Sequence, residues 1–89
     1  MLQVHLHVPD ATSLKDKRRI VRGLLDRVRA KFEVAAAEIE DQDVWQSAVL
    51  GFSYVSSDAR HAAQVMSKVL DWIRDCPAAR VVEHELETL

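Results

Sequence analysis

Glu33-Val34-Ala35-Ala36-Ala37-Glu38-Ile39-Glu40 is the segment on which the fold turns. Its alanines favour a helix by intrinsic propensity. Its neighbours argue for a strand. Phe32 closes the apolar stripe of a preceding helix, and Asp41-Gln42-Asp43 supplies a turn directly afterwards. Read as a strand over 33–40, the segment joins the next apolar run through a hairpin loop. A helix there would overturn the element order that follows.

Upstream, residues 14 to about 32 have helical periodicity. Leu14, Val21, Leu24, Leu25, Val28 and Phe32 fall on one arc, with Ile20 at its edge. Ser13 is an N-cap whose hydroxyl accepts from a backbone N–H one turn ahead, and Asp16 completes a Ser-x-x-Asp variant of the capping box. Before it, residues 2–8 alternate, with Leu2, Val4, Leu6 and Val8 facing one side and Gln3, His5 and His7 the other; Pro9-Asp10 ends this strand. Downstream, Ser47 to Val55 reads as a central strand rich in Val, Phe and Tyr. Ser56-Ser57-Asp58 opens a second helix with a Ser N-cap. Ala59, Ala62, Ala63, Met66, Val69, Leu70 and Ile73 form its buried face, and Cys76-Pro77 ends it. Arg80 to Leu86 is the last strand, with Val82, His84 and Leu86 alternating with Val81, Glu83 and Glu85. The order is β-α-β-β-α-β. It predicts an α+β, ferredoxin-like sandwich in one domain over residues 1–89, with a four-stranded antiparallel sheet and two helices on one face. The expected core includes Val4, Leu6, Val21, Leu24, Leu25, Val28, Phe52, Met66, Leu70 and Ile73.

The composition excludes several classes. At 48% apolar and 29% charged residues over 89 positions, the chain is an ordinary globular sequence rather than a disordered one. No apolar run approaches the roughly 20 residues of a membrane-spanning helix. The amino terminus lacks the pattern of a signal peptide. Cys76 is the single cysteine, which rules out an intrachain disulfide and fits a reducing cytoplasm.

Charge is unevenly placed. Residues 14–31 hold eight of the twelve Lys and Arg but two of the fourteen Asp and Glu. Such a bias marks either a basic face that meets a polyanion or a helix that pairs with acidic strands of its own molecule. Lys15, Lys17, Arg18 and Arg19 crowd the first two turns, at the positive end of the helix dipole, where cations are unfavourable. A broken local rule with no local gain points to function. Free N–H groups ringed by Lys and Arg suit a phosphate. Lys15, Arg18, Arg19, Arg22 and Arg29 share an arc beside the apolar one, so Lys15, Lys17, Arg18, Arg19, Arg22 and Arg29 are the candidate nucleic-acid contacts. Lys17 falls in the apolar arc, where its stem can snorkel over the core edge. Glu38, mid-strand, is a candidate internal partner for Lys17 or Arg18.

Other candidate chemistry is weaker. Leu50-Gly51-Phe52-Ser53-Tyr54-Val55 partly mimics the base-stacking strand of RNA-recognition modules, but burial of Leu50, Phe52 and Tyr54 under the helices is favoured. His5 and His7, about 6.5–7 Å apart along one strand, approach Glu83 and Glu85; a solvated polar face is preferred to a metal site. Glu38, Glu40, Asp41 and Asp43 lack calcium-loop spacing. Trp45 and Trp72 suit packing better than base stacking. Cys76, at a helix C-terminus, is a poor nucleophile. Hydrolase, P-loop and dinucleotide signatures are absent.

Ser13-Leu14-Lys15-Asp16-Lys17-Arg18-Arg19, Phe32-Glu33-Val34-Ala35-Ala36-Ala37-Glu38, Asp43-Val44-Trp45-Gln46-Ser47-Ala48 and Leu50-Gly51-Phe52 resemble the YlxP-like family of small bacterial proteins. The similarity spans essentially the whole chain and puts weight on Ser13, Leu14, Lys15, Lys17, Arg18, Glu38, Asp43 and Trp45. It implies a ferredoxin-like fold and supplies no catalytic residues. The family's genes commonly lie among those for translation initiation and ribosome maturation, which implies a ribosome or RNA connection by association. The expectation is a cytoplasmic, non-enzymatic module without cofactor or metal that binds structured RNA in a ribosomal or translation setting and does not engage membranes. The alternative is a protein-interaction or homodimer module whose open sheet face pairs with its partner, with Ala35–Ala37, Gly51 and Ser53 allowing close approach.

Overall fold

The computed structural model describes residues 1–87. Thr88 and Leu89, which the domain expectation includes, lie outside the described residues. The elements follow in the order β1 (Leu2–His7), α1 (Leu14–Phe32), β2 (Ala35–Glu40), β3 (Ser47–Ser53), α2 (Ala59–Arg74) and β4 (Arg80–Leu86). The sheet order is β2-β3-β1-β4, and every neighbouring pair is antiparallel. This is the ferredoxin-like arrangement, and β3 is central, as its composition predicted.

Alternation along the strands places the core. Leu2, Val4 and Leu6 of β1 and Ala48, Leu50 and Phe52 of β3 join Val21, Leu24, Leu25 and Val28 of α1 and Met66, Val69, Leu70 and Ile73 of α2 in one buried cluster. All ten expected core residues are buried. The α1 start is as read: the Ser13 hydroxyl accepts from the Asp16 N–H at 3.1 Å. The reciprocal half of the capping box differs. The Asp16 carboxylate accepts from the backbone N–H of Thr12 at 3.3 Å and from the Thr12 hydroxyl, not from Ser13.

Several boundaries move, each for a local reason. β2 begins at Ala35, because Glu33 takes a left-handed conformation (φ 53°) and its N–H caps the Arg29 carbonyl at 3.0 Å, ending α1. β3 ends at Ser53, leaving Val55 exposed. Asp58, not a serine, caps α2: its carboxylate accepts from the N–H groups of Arg60 and His61 at 2.9 and 3.4 Å. Ala59 is exposed, and Ala62 and Ala63 are half-buried.

Two bulges reset the alternation. In β4, His5 pairs with Glu83 and Leu6 with Val81, so Val82 is the extra residue and stands exposed. In β2, Glu38 pairs with Leu50 and Glu40 with Val49, which leaves Ile39 extra. Leu50 lies in the core, so its partner Glu38 is on the helix side of the sheet, beneath α1. Ile39 lies across Gly51 on the other face. A Cβ added at Gly51 would sit 3.2 and 3.3 Å from Ile39 side-chain carbons. The close approach that Gly51 permits is therefore already taken by Ile39, not left open to a partner.

Candidate nucleic-acid interface

Lys17 sits one turn into α1 on the apolar arc, so the helix points it at the sheet instead of the solvent. It is 0% exposed. Its ammonium donates to Glu38 Oε2 at 2.7 Å and to the carbonyls of Asp41 (2.6 Å), Gln42 (3.2 Å) and Ser47 (3.2 Å). A buried ammonium needs a counter-charge and full hydrogen bonding, and this one has both. Lys17 is thereby corrected as a nucleic-acid contact: with its head group enclosed by four acceptors, no phosphate can reach it. The expected internal partner, Glu38, is the one found.

The clamp shapes the β2–β3 connection. Asp41 adopts φ 62°, a left-handed turn position that Asp tolerates. The far end of the loop is tied separately. Gln46 accepts from the Val8 N–H at 3.0 Å, and its side-chain amide donates to the carbonyls of Ala11 (3.3 Å) and Pro9 (3.4 Å). Ser47 donates to Asp41 Oδ2 at 2.8 Å, so the 2.9 Å contact between His5 and Ser47 is a donation from His5 Nε2. Between these anchors Asp43, Val44 and Trp45 project into solvent.

The remaining cations divide. Lys15 and Arg22 are exposed and make no ion pair among the described residues. Arg18 and Arg19 side chains are 56% and 76% exposed; their nearest acids are Asp43 at 3.9 Å and Asp16 at 3.7 Å. Such long, exposed pairs contribute about 0–1 kcal/mol each. Arg29 is held differently. It bonds Asp26 at 3.1 Å and donates to the Ala36 carbonyl, which ties α1 to the outer strand β2. Arg18, Arg22 and Arg29 together line an open groove of about 460 Å³ between α1 and β2, with Glu38 and Gln42 on its other wall.

The competing candidates resolve by placement. Leu50 and Phe52 are buried under the helices, and Tyr54 is half-buried with its hydroxyl 3.3 Å from His61. The corresponding open face of β3 carries Val49, Gly51 and Ser53, so this strand presents no base-stacking aromatic of the kind RNA-recognition modules use. His7 Nδ1 donates to the Gln46 carbonyl at 3.1 Å. Among the described residues no group of three or more His, Cys, Asp or Glu is placed to hold a metal. Trp72 meets Phe32 edge-on at 6.5 Å with Arg27 over its ring at 5.9 Å. The Cys76 thiol donates to the Trp72 carbonyl at 3.4 Å; burial pushes its pKa up, Asp75 adds to this and Arg27 opposes it. That direction disfavours the thiolate.

Sequence reasoning missed how the Lys17 ammonium organises the hairpin, and with it the exposure of Trp45. The available signal was a lysine on an apolar arc together with a lone mid-strand glutamate.

A small ferredoxin-like domain with an exposed basic helix flank is the class these features define. Residues 1–86 match the family model described as "Protein of unknown function (DUF503)", and the chain belongs to this family. The chain is 40% identical over 68 residues to "Uncharacterized protein YlxP" of Bacillus subtilis (strain 168), covering 76% of this chain and 74% of that protein. The resemblance drawn from the Ser13–Arg19 and Asp43–Ala48 segments is thus borne out. Among the described residues no helix is long and apolar enough to cross a membrane.

Proposed function

We propose that the protein is a non-enzymatic, cytoplasmic RNA-binding module that holds phosphates on Lys15, Arg18, Arg19 and Arg22. The observation that carries this reading is the exposure of these four cations on one helix flank with no strong internal counter-charge. Lys15, Arg18 and Arg19 stand in the first two turns, toward the helix end where the dipole opposes them, so folding gains little from their charge. Phosphate contacts fix position without reading sequence, so selectivity would come from RNA shape or from neighbouring groups. RNA rather than DNA, and the ribosome as its setting, are supported by the family resemblance alone.

Fluorescence anisotropy against salt tests the reading. Four phosphate contacts predict a slope of log K on log salt of about −2.8 on a single strand and −3.6 on a duplex. The variant Lys15→Gln, Arg18→Gln, Arg19→Gln should lose most affinity, leaving a slope near −0.7 to −0.9 from Arg22. Absence of RNA binding by the parent at low salt would refute the proposal.

Self-association is a second reading. Among the described residues both outer strands, β2 and β4, have one edge without a strand partner, and Val82 on β4 is exposed.

A further inference from the structure

We propose that Trp45 is a stacking platform for an unpaired nucleobase whose neighbouring phosphates lie on Arg18 and the other exposed cations of α1; this rests on the RNA-binding reading above. Trp45 is 50% exposed and, unlike Trp72, meets no aromatic ring or cation among the described residues. The loop presenting it is fixed on both sides. Lys17 bonds the carbonyls of Asp41, Gln42 and Ser47, and Gln46 is tied to residues 8, 9 and 11. A half-wet indole on an anchored loop forgoes burial that packing would reward, which is the pattern of a binding residue. Because its loop is anchored, little backbone freedom would be lost on binding.

Charge selects the occupant. Asp43, two residues before Trp45, has its carboxylate 3.9 Å from Arg18. Two peptide steps place the Trp45 Cα at most about 7 Å from that of Asp43, so the loop that carries the indole also carries the carboxylate that meets Arg18. An exposed aromatic on a loop that adjoins a basic helix flank suits a base whose phosphate runs onto that flank. A base inside a duplex exposes no face to an indole, so the ligand class is single-stranded RNA or an RNA loop. Stacking of this kind is tolerant of sequence.

The test uses the full chain labelled with 5-fluorotryptophan, whose two tryptophans give two fluorine resonances. These are followed during titration with a short single-stranded RNA and with its duplex. The Trp45 resonance should move with the single strand while that of Trp72 stays. Trp45→Ala should weaken single-strand binding about 5- to 150-fold and leave the salt slope unchanged, because no phosphate contact is lost. Trp45→Phe should retain most of the affinity. Trp45→Leu, which keeps apolar bulk and so guards against an unfolded alanine variant, should lose it as Ala does. If single-strand affinity is unchanged in the Ala and Leu variants while the parent binds with its salt slope, this inference fails and the RNA reading stands. If the parent binds no RNA, both fail. If Trp45→Leu abolishes a concentration-dependent doubling of mass and leaves RNA binding intact, the patch is a protein interface and the inference is overturned.

Discussion

Replacing Lys17 with Met keeps the apolar stem and removes the ammonium. The change strands the Glu38 carboxylate, 14% exposed, and the carbonyls of Asp41, Gln42 and Ser47. Breaking a buried pair by removing one partner costs about 3–5 kcal/mol. Adding four separate charge-assisted bonds at about 1.5–3 kcal/mol each would overshoot, because the loop carbonyls can turn toward water once released. A cost of about 3–5 kcal/mol is a large share of the roughly 4–13 kcal/mol expected for a chain of this length. For a domain of this size it corresponds to a fall in Tm of very roughly 12–40 °C. Urea unfolding is the assay: the midpoint should drop with the slope m unchanged if the transition stays two-state. Replacing both partners, Lys17→Met with Glu38→Leu, is often neutral for a buried pair. Here recovery should be partial, since the Ser47 carbonyl, at the start of β3 and less free to turn than the loop carbonyls of Asp41 and Gln42, still lacks this donor. Lys17→Arg should also destabilise, because the fully buried site is built around a compact ammonium and a planar fork does not fit it. A Lys17→Met variant within about 1 kcal/mol of the parent would refute this account of the clamp, since that is no more than an exposed pair contributes.

The Lys15→Gln, Arg18→Gln, Arg19→Gln variant should melt close to the parent, since relief of dipole repulsion offsets two exposed pairs of about 0–1 kcal/mol each; a clear loss in calorimetry would show that these cations serve the fold. Asp16 should titrate below the ordinary carboxylate range, chiefly because the Thr12 hydroxyl and N–H hydrogen-bond its ionised form, with Arg19 adding to this. A depressed folded-state pKa contributes stability present above the unfolded value of 3.8 and lost as pH falls through the folded one; carbon NMR of the side chain checks this, and Thr12→Val should move the titration upward. Light scattering across micromolar to millimolar concentration tests the self-association reading: it should show twice the 10.1 kDa mass at the upper end, and a constant monomer mass would exclude it.

Most of the fold was legible because each element carried its own local signal. The Leu14–Phe32 stripe, the Ser13 cap and the alternation of residues 2–8 each specify a shape and a buried face without reference to anything distant. Even the alanine-rich segment could be read as a strand, because a helix end and a turn bound it on either side. The misplaced boundaries share one cause. Glu33 in a left-handed cap and Asp58 in place of a serine are choices among chemically similar neighbours, which local geometry makes and periodicity does not. The bulges at Ile39 and Val82 are a different matter. Each shifts one residue out of register, and pairing between strands far apart in sequence decides where the extra residue falls.

For the candidate site, sequence alone determined that a basic helix flank exists and that Lys17 lies off its line, because both follow from the helical repeat. Only the tertiary structure decided which cations are free. Pairing with Leu50 puts Glu38 on the helix side beneath Lys17, and the sheet brings the Ser47 carbonyl to the same ammonium as those of Asp41 and Gln42. That convergence takes Lys17 out of solvent and anchors the loop on which Trp45 stands. It spans residues up to thirty positions apart, and long-range burial of charge has no local pattern by which a sequence can announce it.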